Sequence, residues 1–193
     1  YGDVDDSLEK RLNSCGKSFP GIEVRISNPE IPGEVLGANQ KGEIQIRGYS
    51  LFEGYYKDEE ATQNAMTDDG WYRSGDLGAL DEDGYLSYLG RWKDMLKIGG
   101  ENVAALEIES HINTYPGVIL SQVVGIEDER YDEVAAVFIE ATKEESVSAE
   151  DIINYCKGQI SNFKIPRYVI FVDEWPMSAT KIQKFKLKSF NLG

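Results

Sequence analysis

At 193 residues, with 41% hydrophobic and 28% charged residues, the chain has a globular composition large enough for one domain or two small ones, which excludes a disordered tail. Its 34 acidic residues against 20 basic ones give a formal charge of −14, a field that opposes nucleic-acid backbones and anionic lipid surfaces. No apolar run approaches the length of a transmembrane helix and no signal peptide opens the chain, so neither nucleic acid nor a bilayer is an expected partner.

The two cysteines, Cys15 and Cys156, lie far apart and form neither a CxxC pair nor a Cys/His metal spacing. That argues against a disulfide framework or a metal site and fits a reduced, cytoplasmic setting. His111 is the only histidine, so any Ser-His or Cys-His nucleophile would have to run through it.

In chain order, residues 1–17 are charged and loosely patterned, with a helix ending near Leu12. From residue 18 to 90, short alternating segments at 22–26, 29–42 and 43–48 are bounded by turn formers. In the last of them Ile44 and Ile46 share one face of a strand while Glu43, Gln45 and Arg47 share the other. Residues 58–66 read as a short surface helix, and Asp83-Gly84 before Tyr85 and Leu86 is a hairpin signal. A small antiparallel β unit is expected.

Residues 90–103, Gly-Arg-Trp-Lys-Asp-Met-Leu-Lys-Ile-Gly-Gly-Glu-Asn-Val, form a charged, glycine-bearing joint where the texture changes. Beyond it a helix is predicted over 104–114, with Leu106, Ile108 and Ile112 as apolar positions and Pro116-Gly117 as its stop. Apolar strands follow at 118–126 and 134–140. Ser148, with Asp151 three residues later, predicts the N-cap of a helix over 149–160. Residues 167–172 read as a third strand and 175–193 as a loop leading into a basic tail. Two helices on a three-stranded sheet make an α+β lobe of domain size.

Four segments concentrate turns, glycine and charge: 71–78, 90–103, 131–133 and 176–187. Taken alone, Asp76 between glycines reads as a turn residue, Arg91 as a surface arginine and Lys181 as one solvated lysine among several. Their order is more specific. The chain presents Gly-Glu-Ile-x-Ile-Arg-Gly (42–48), Gly-Tyr-Tyr (54–56), Gly-Trp-Tyr-x-Ser-Gly-Asp-Leu-Gly (70–78) and Asp-Gly-Tyr (83–85). Gly-Arg-x-Lys-Asp (90–94), Gly-Gly-Glu-Asn-Val (99–103), Glu-Ile-Glu (107–109) and Lys-Ile-Gln-Lys-Phe (181–185) follow. This succession resembles the C-terminal part of the adenylate-forming superfamily, which comprises acyl- and aryl-CoA synthetases, peptide-synthetase adenylation domains and beetle luciferases. Residues 175–187 look most like fatty-acyl-CoA synthetases.

The resemblance implies a mixed fold: residues 1–90 as a C-terminal β-subdomain of the AMP-binding domain, 91–97 as a hinge segment, and 98–193 as an α+β lid. It assigns Asp76 to the ribose hydroxyls of ATP, which a carboxylate accepts in pairs. Arg91 would hold the same ribose and nearby phosphate oxygens with its fork of donors. Lys93 matches the hinge position. Lys97, with Gly99, Gly100 and Glu101, matches the loop lining the pantetheine tunnel during thioester formation, where Gly-Gly allows close backbone approach; a plain hairpin turn is the other reading. Lys181 matches the catalytic lysine of adenylation, bridging the attacking carboxylate and the α-phosphate. The family commonly reads Thr-Gly-Lys there, whereas this chain has Thr180-Lys181.

The family's glycine-rich phosphate loop is missing between residues 1 and 90, so a larger upstream domain is expected as partner and the chain is expected to be inactive alone. With ATP, Mg²⁺ and coenzyme A, the whole enzyme would convert a carboxylic acid, expected to be a fatty acid, into its acyl-CoA. Two alternatives stay open: an adenylation domain that loads a carrier-protein thiol, and a non-catalytic module retaining the fold.

Overall fold

The computed structural model describes residues 1–143 and 146–189. Within it the chain forms two compact units, residues 1–93 and 94–193, each with its own sheet.

The first unit opens with α1 (Leu8–Asn13), capped by the Ser7 hydroxyl. Four strands follow, β1 (Ile22–Ser27), β2 (Gly42–Gly48), β3 (Tyr72–Leu80) and β4 (Leu86–Arg91), in the antiparallel order β1-β2-β3-β4. A short helix α2 (Glu59–Ala65), capped by Asp58, is inserted between β2 and β3. The expected strand over 29–42 is absent: that stretch makes only a bridge from Val35 to Ser27, because Pro29, Pro32 and Gly33 interrupt a continuous ladder. The Asp-Gly turn joins β3 to β4 as expected, with Gly84 at φ 82°.

Several motif residues are there for packing. Gly42 and Gly78 face each other across β2 and β3, and a Cβ on Gly42 would lie 2.3 Å from the Ser27 carbonyl oxygen. Trp71 is buried between the guanidinium groups of Arg25 and Arg47, at 4.3 and 4.5 Å from its ring. Those cations are in turn paired with Asp69 and Glu23, so the sandwich is satisfied on its outer side.

The second unit adds β5 (Met95–Ile98), β6 (Glu101–Ala104), α3 (Ala105–Ile112), β7 (Val118–Asp128), β8 (Asp132–Ala141), α4 (Ala149–Cys156), β9 (Tyr168–Phe171) and α5 (Lys184–Leu187). Its sheet has five strands, not three, because the glycine-bearing joint folds into the β5–β6 hairpin and pairs onto β8. α4 begins with the expected capping box of Ser148 and Asp151 but stops at Cys156, four residues short of the expected end, where a turn begins. The expected C-terminal loop contains α5; residues 190–193 of that stretch lie outside the described residues.

The centre of β8, residues 134–139, is apolar without interruption because both of its faces are covered. Ala135, Val137 and Ile139 point toward the core under α3 and α4, with Leu96, Ile108 and Ile152. Ala136 and Phe138 point the other way, against Val124 and Leu187 of α5, with Trp175 beside them. Deleting a ring as buried as that of Phe138 costs about 3–5 kcal/mol.

Candidate functional site

In the first unit the structure brings Asp76 and Arg91 together. Asp76 is a strand residue, not a turn residue, and the antiparallel register of β3 and β4 sets it directly opposite Arg91. The Arg91 Nε lies 2.8 Å from Asp76 Oδ1. This is a charge contact without hydrogen-bond alignment, since Oδ1 is buried and receives no hydrogen bond. The backbone beneath is fixed by Ser74, whose hydroxyl donates to the Ile44 carbonyl at 2.6 Å and accepts from the Asp76 N–H at 3.0 Å. A carboxylate on a fixed strand backbone beside an arginine offers acceptors suited to the hydroxyl pair of a ribose.

Next to that pair stands an aromatic cluster that motif reading left without a role. Phe52 packs edge-on against Tyr55 and Tyr72, at 5.1 and 5.4 Å between ring centres. Burial pushes the Tyr72 phenol above its usual range, with the hydrogen bond to Tyr55 and the Asp76 charge adding to it. Of Gly54-Tyr55-Tyr56, Tyr55 joins the cluster whereas Tyr56 is exposed, so the motif signalled it only in part.

Lys93 is exposed in a 3-10 turn, Trp92–Asp94, and is the last residue of the first unit.

In the second unit, Lys97, Gly99, Gly100 and Glu101 occupy one hairpin. Lys97 is exposed on β5 and its N–H donates to Glu133 Oε2 at 2.7 Å. Gly99 and Gly100 form the tip at φ 60° and 84°, a left-handed pair that glycine adopts without strain. Glu101 is exposed at the start of β6. The tip is tied to the 131–133 turn, since the Gly99 N–H donates to the Tyr131 carbonyl at 2.8 Å. Tyr131 also lines a cleft of about 420 Å³ with Ile98, Val134, Phe163, Ile165 and Arg167. Arg130 and Arg167 lie 5.1 and 6.0 Å from the Tyr131 ring. An apolar, aromatic cleft rimmed by cations suits a flat ring that carries phosphate.

Lys181 sits on a closed loop of its own. The Gln183 N–H donates to the Pro176 carbonyl at 2.7 Å, Met177 bridges Ile182, and Ser178 and Lys181 exchange three hydrogen bonds of 2.8–3.2 Å. These bonds consume the backbone and leave the Lys181 side chain exposed. Among the described residues only Asn39, Lys57 and Asp132 hold positive φ without being glycine, so Thr180 occupies the usual glycine position without left-handed strain. No group of three or more His, Cys, Asp or Glu side chains suited to a metal is found among the described residues.

Residues 107–181 match the AMP-binding enzyme C-terminal domain family. The chain is 46% identical over 186 residues to the putative acyl-CoA synthetase YngI of Bacillus subtilis, covering 96% of this chain and 34% of that protein. It is 42% identical over 185 residues to the mitochondrial medium-chain acyl-CoA ligase ACSF2 of Mus musculus, covering 95% of this chain and 30% of that protein. The chain therefore spans about a third of the length of the curated relatives it matches. Among solved structures, the o-succinylbenzoate CoA synthetase MenE of Bacillus subtilis in complex with its acyl-adenylate intermediate superimposes with a TM-score of 0.86 at 31% identity. That match covers 94% of this chain and 37% of the other.

Proposed function

The chain belongs to the adenylate-forming superfamily and carries its C-terminal portion, and on that premise we propose that it serves a longer, ATP-dependent, AMP-forming acyl-CoA synthetase. The reaction runs in two displacements. A carboxylate oxygen attacks the α-phosphorus of ATP and pyrophosphate leaves; then the coenzyme A thiol attacks the acyl carbonyl and AMP leaves.

The observation that carries the reading is the Asp76–Arg91 pair. Asp76 offers its carboxylate to the ribose hydroxyls, and Arg91 beside it, 48% exposed along its side chain, can reach ribose and phosphate oxygens. Lys181 places a mobile ammonium at the α-phosphate, where charge accumulates during the first displacement. The Lys97–Glu101 hairpin lines the path of the pantetheine arm, and the Tyr131–Phe163 cleft beside its tip receives the nucleotide end of coenzyme A. Residues 91–97, with Lys93 among them, act as the hinge between the two half-reactions. Mg²⁺ travels on the phosphates of ATP; the described residues offer it no ligand cluster.

The carboxylic acid is a fatty acid, supported by the resemblance of residues 175–187 and by the medium-chain ligase named among the relatives. The free, exposed Cys15 supports a reducing cytoplasm as the location. The test is product analysis with the full-length enzyme, ATP and fatty acids of graded chain length, offering free coenzyme A or a holo carrier protein as acceptor. Acyl-CoA and AMP in equal amounts are expected, with this chain alone producing neither. Acyl transfer to the carrier protein only, or turnover by the isolated chain, would overturn the reading.

A further inference from the structure

The loop bearing Lys181 is short and exposed, so something outside it must decide where the ammonium points. Its two ends are fastened differently. On the N-terminal side, the Trp175 indole N–H donates to Glu140 Oε2 at 2.6 Å, fixing the loop to β8. On the C-terminal side, three residues after Lys181, the Lys184 ammonium reaches into the unit and meets Glu109 Oε1 at 2.6 Å.

Glu109 is an unusual partner. Its side chain is only 6% exposed, and the same Oε1 accepts the Val123 N–H of β7 at 2.7 Å. Val123, and Ser121 two residues before it, whose hydroxyl donates to the Glu109 carbonyl, lie midway along β7 at the edge of the sheet. Lys184 is therefore pinned to a carboxylate that is itself pinned to the sheet. One turn further on, Leu187 is 1% exposed in the core against Val124, Ala136 and Phe138. A buried carboxylate that loses its cation is left uncompensated, so the pair forms as a unit or not at all.

We propose that the Glu109–Lys184 ion pair is a positioning device for Lys181: it docks α5 on the sheet and thereby sets the height and direction of the catalytic loop. Neither residue touches the reacting atoms. The inference rests on the assignment of Lys181 to adenylation, and it adds a reason why the run Lys181-Ile182-Gln183-Lys184 carries two lysines at this spacing: one faces the ligand and the other faces the core.

The test uses Lys184→Met, which keeps the stem and removes the charge, and Lys184→Arg, which restores it. In the full-length enzyme, Lys184→Met is expected to lower kcat for carboxylate-dependent ATP–pyrophosphate exchange about 100-fold, the scale of an ångström-level misplacement. KM for ATP and turnover of pre-formed acyl-adenylate with coenzyme A are expected to stay within about twofold, because Lys181 acts only in the first displacement. Lys184→Arg is expected to recover most of the exchange. Equal losses in both half-reactions would mark the pair as merely structural and overturn the proposal, as would unchanged exchange in Lys184→Met.

A second readout is independent of activity. Amide hydrogen exchange over residues 178–182 in this chain is expected to quicken about tenfold in Lys184→Met. If wild-type enzyme shows no exchange activity, the functional reading fails; if the amides of 178–182 are unmoved by Lys184→Met, the positioning claim fails.

Discussion

Asp76 Oδ1 is buried and lies 2.8 Å from the Arg91 Nε without an aligned hydrogen bond. Asp76→Asn in the full-length enzyme is expected to weaken ATP about tenfold, by roughly the worth of one charge-assisted hydrogen bond. Equilibrium dialysis measures this; an unchanged Kd would remove Asp76 from the site. Elsewhere at this scale, the Arg25 guanidinium, and after it the Thr67 hydroxyl, lower the Asp69 carboxyl from 3.8 to about 2. A depressed carboxylate contributes stability above its unfolded value and loses it as pH falls toward the folded one. Asp69→Asn is thus expected to lower Tm at neutral pH, with the difference shrinking from pH 3.8 toward 2; a constant gap across that range would contradict the pairing. The cysteines differ in the same legible way. Cys156 is fully buried and its thiol is pushed up to about 11 by burial, whereas Cys15 is exposed. A thiol reagent at pH 8 should label Cys15 at once and Cys156 only on unfolding.

Elements whose signals are local were legible in the sequence, and those defined by distant pairing were not. α4 was announced by Ser148 and Asp151, because a capping box is written in four consecutive residues. Ser148→Ala is expected to destabilise the second unit by about 1 kcal/mol. For a unit of this size that lowers Tm by about 4–8 °C, measured by thermal unfolding. By contrast, β5 and β6 are four residues each, with Lys97, Glu101 and Asn102 exposed, so the stretch read as a charged joint. Only pairing with β8 makes it sheet. α5 was hidden for a similar reason: its four residues include two lysines, and the one apolar anchor, Leu187, acquires meaning only against Phe138 on the far side of the sheet. Pairing of Asp76 with Arg91 depended on the register of β3 and β4, which includes a bulge beside Leu77 that the sequence does not spell out.

At the scale of the whole molecule the chain is two units that each bury their own core, with the candidate residues divided between them: Asp76, Arg91 and Lys93 in the first, Lys97, Gly99, Gly100, Glu101 and Lys181 in the second. Each of these side chains was named by an ordered sequence motif, because a motif is written in neighbouring residues. The aromatic cleft at Tyr131 and Phe163 was not readable, because its walls come from three separated stretches of chain. The central claim is that this chain brings the lysine of the adenylation step to a longer acyl-CoA synthetase. The most direct measurement compares full-length wild type with Lys181→Ala in two assays, carboxylate-dependent ATP–pyrophosphate exchange and acyl transfer from pre-formed acyl-adenylate to coenzyme A. Loss of a positioned transition-state donor predicts a fall of about 10²–10³ in the exchange with acyl transfer retained; exchange that persists at the wild-type rate would contradict the account.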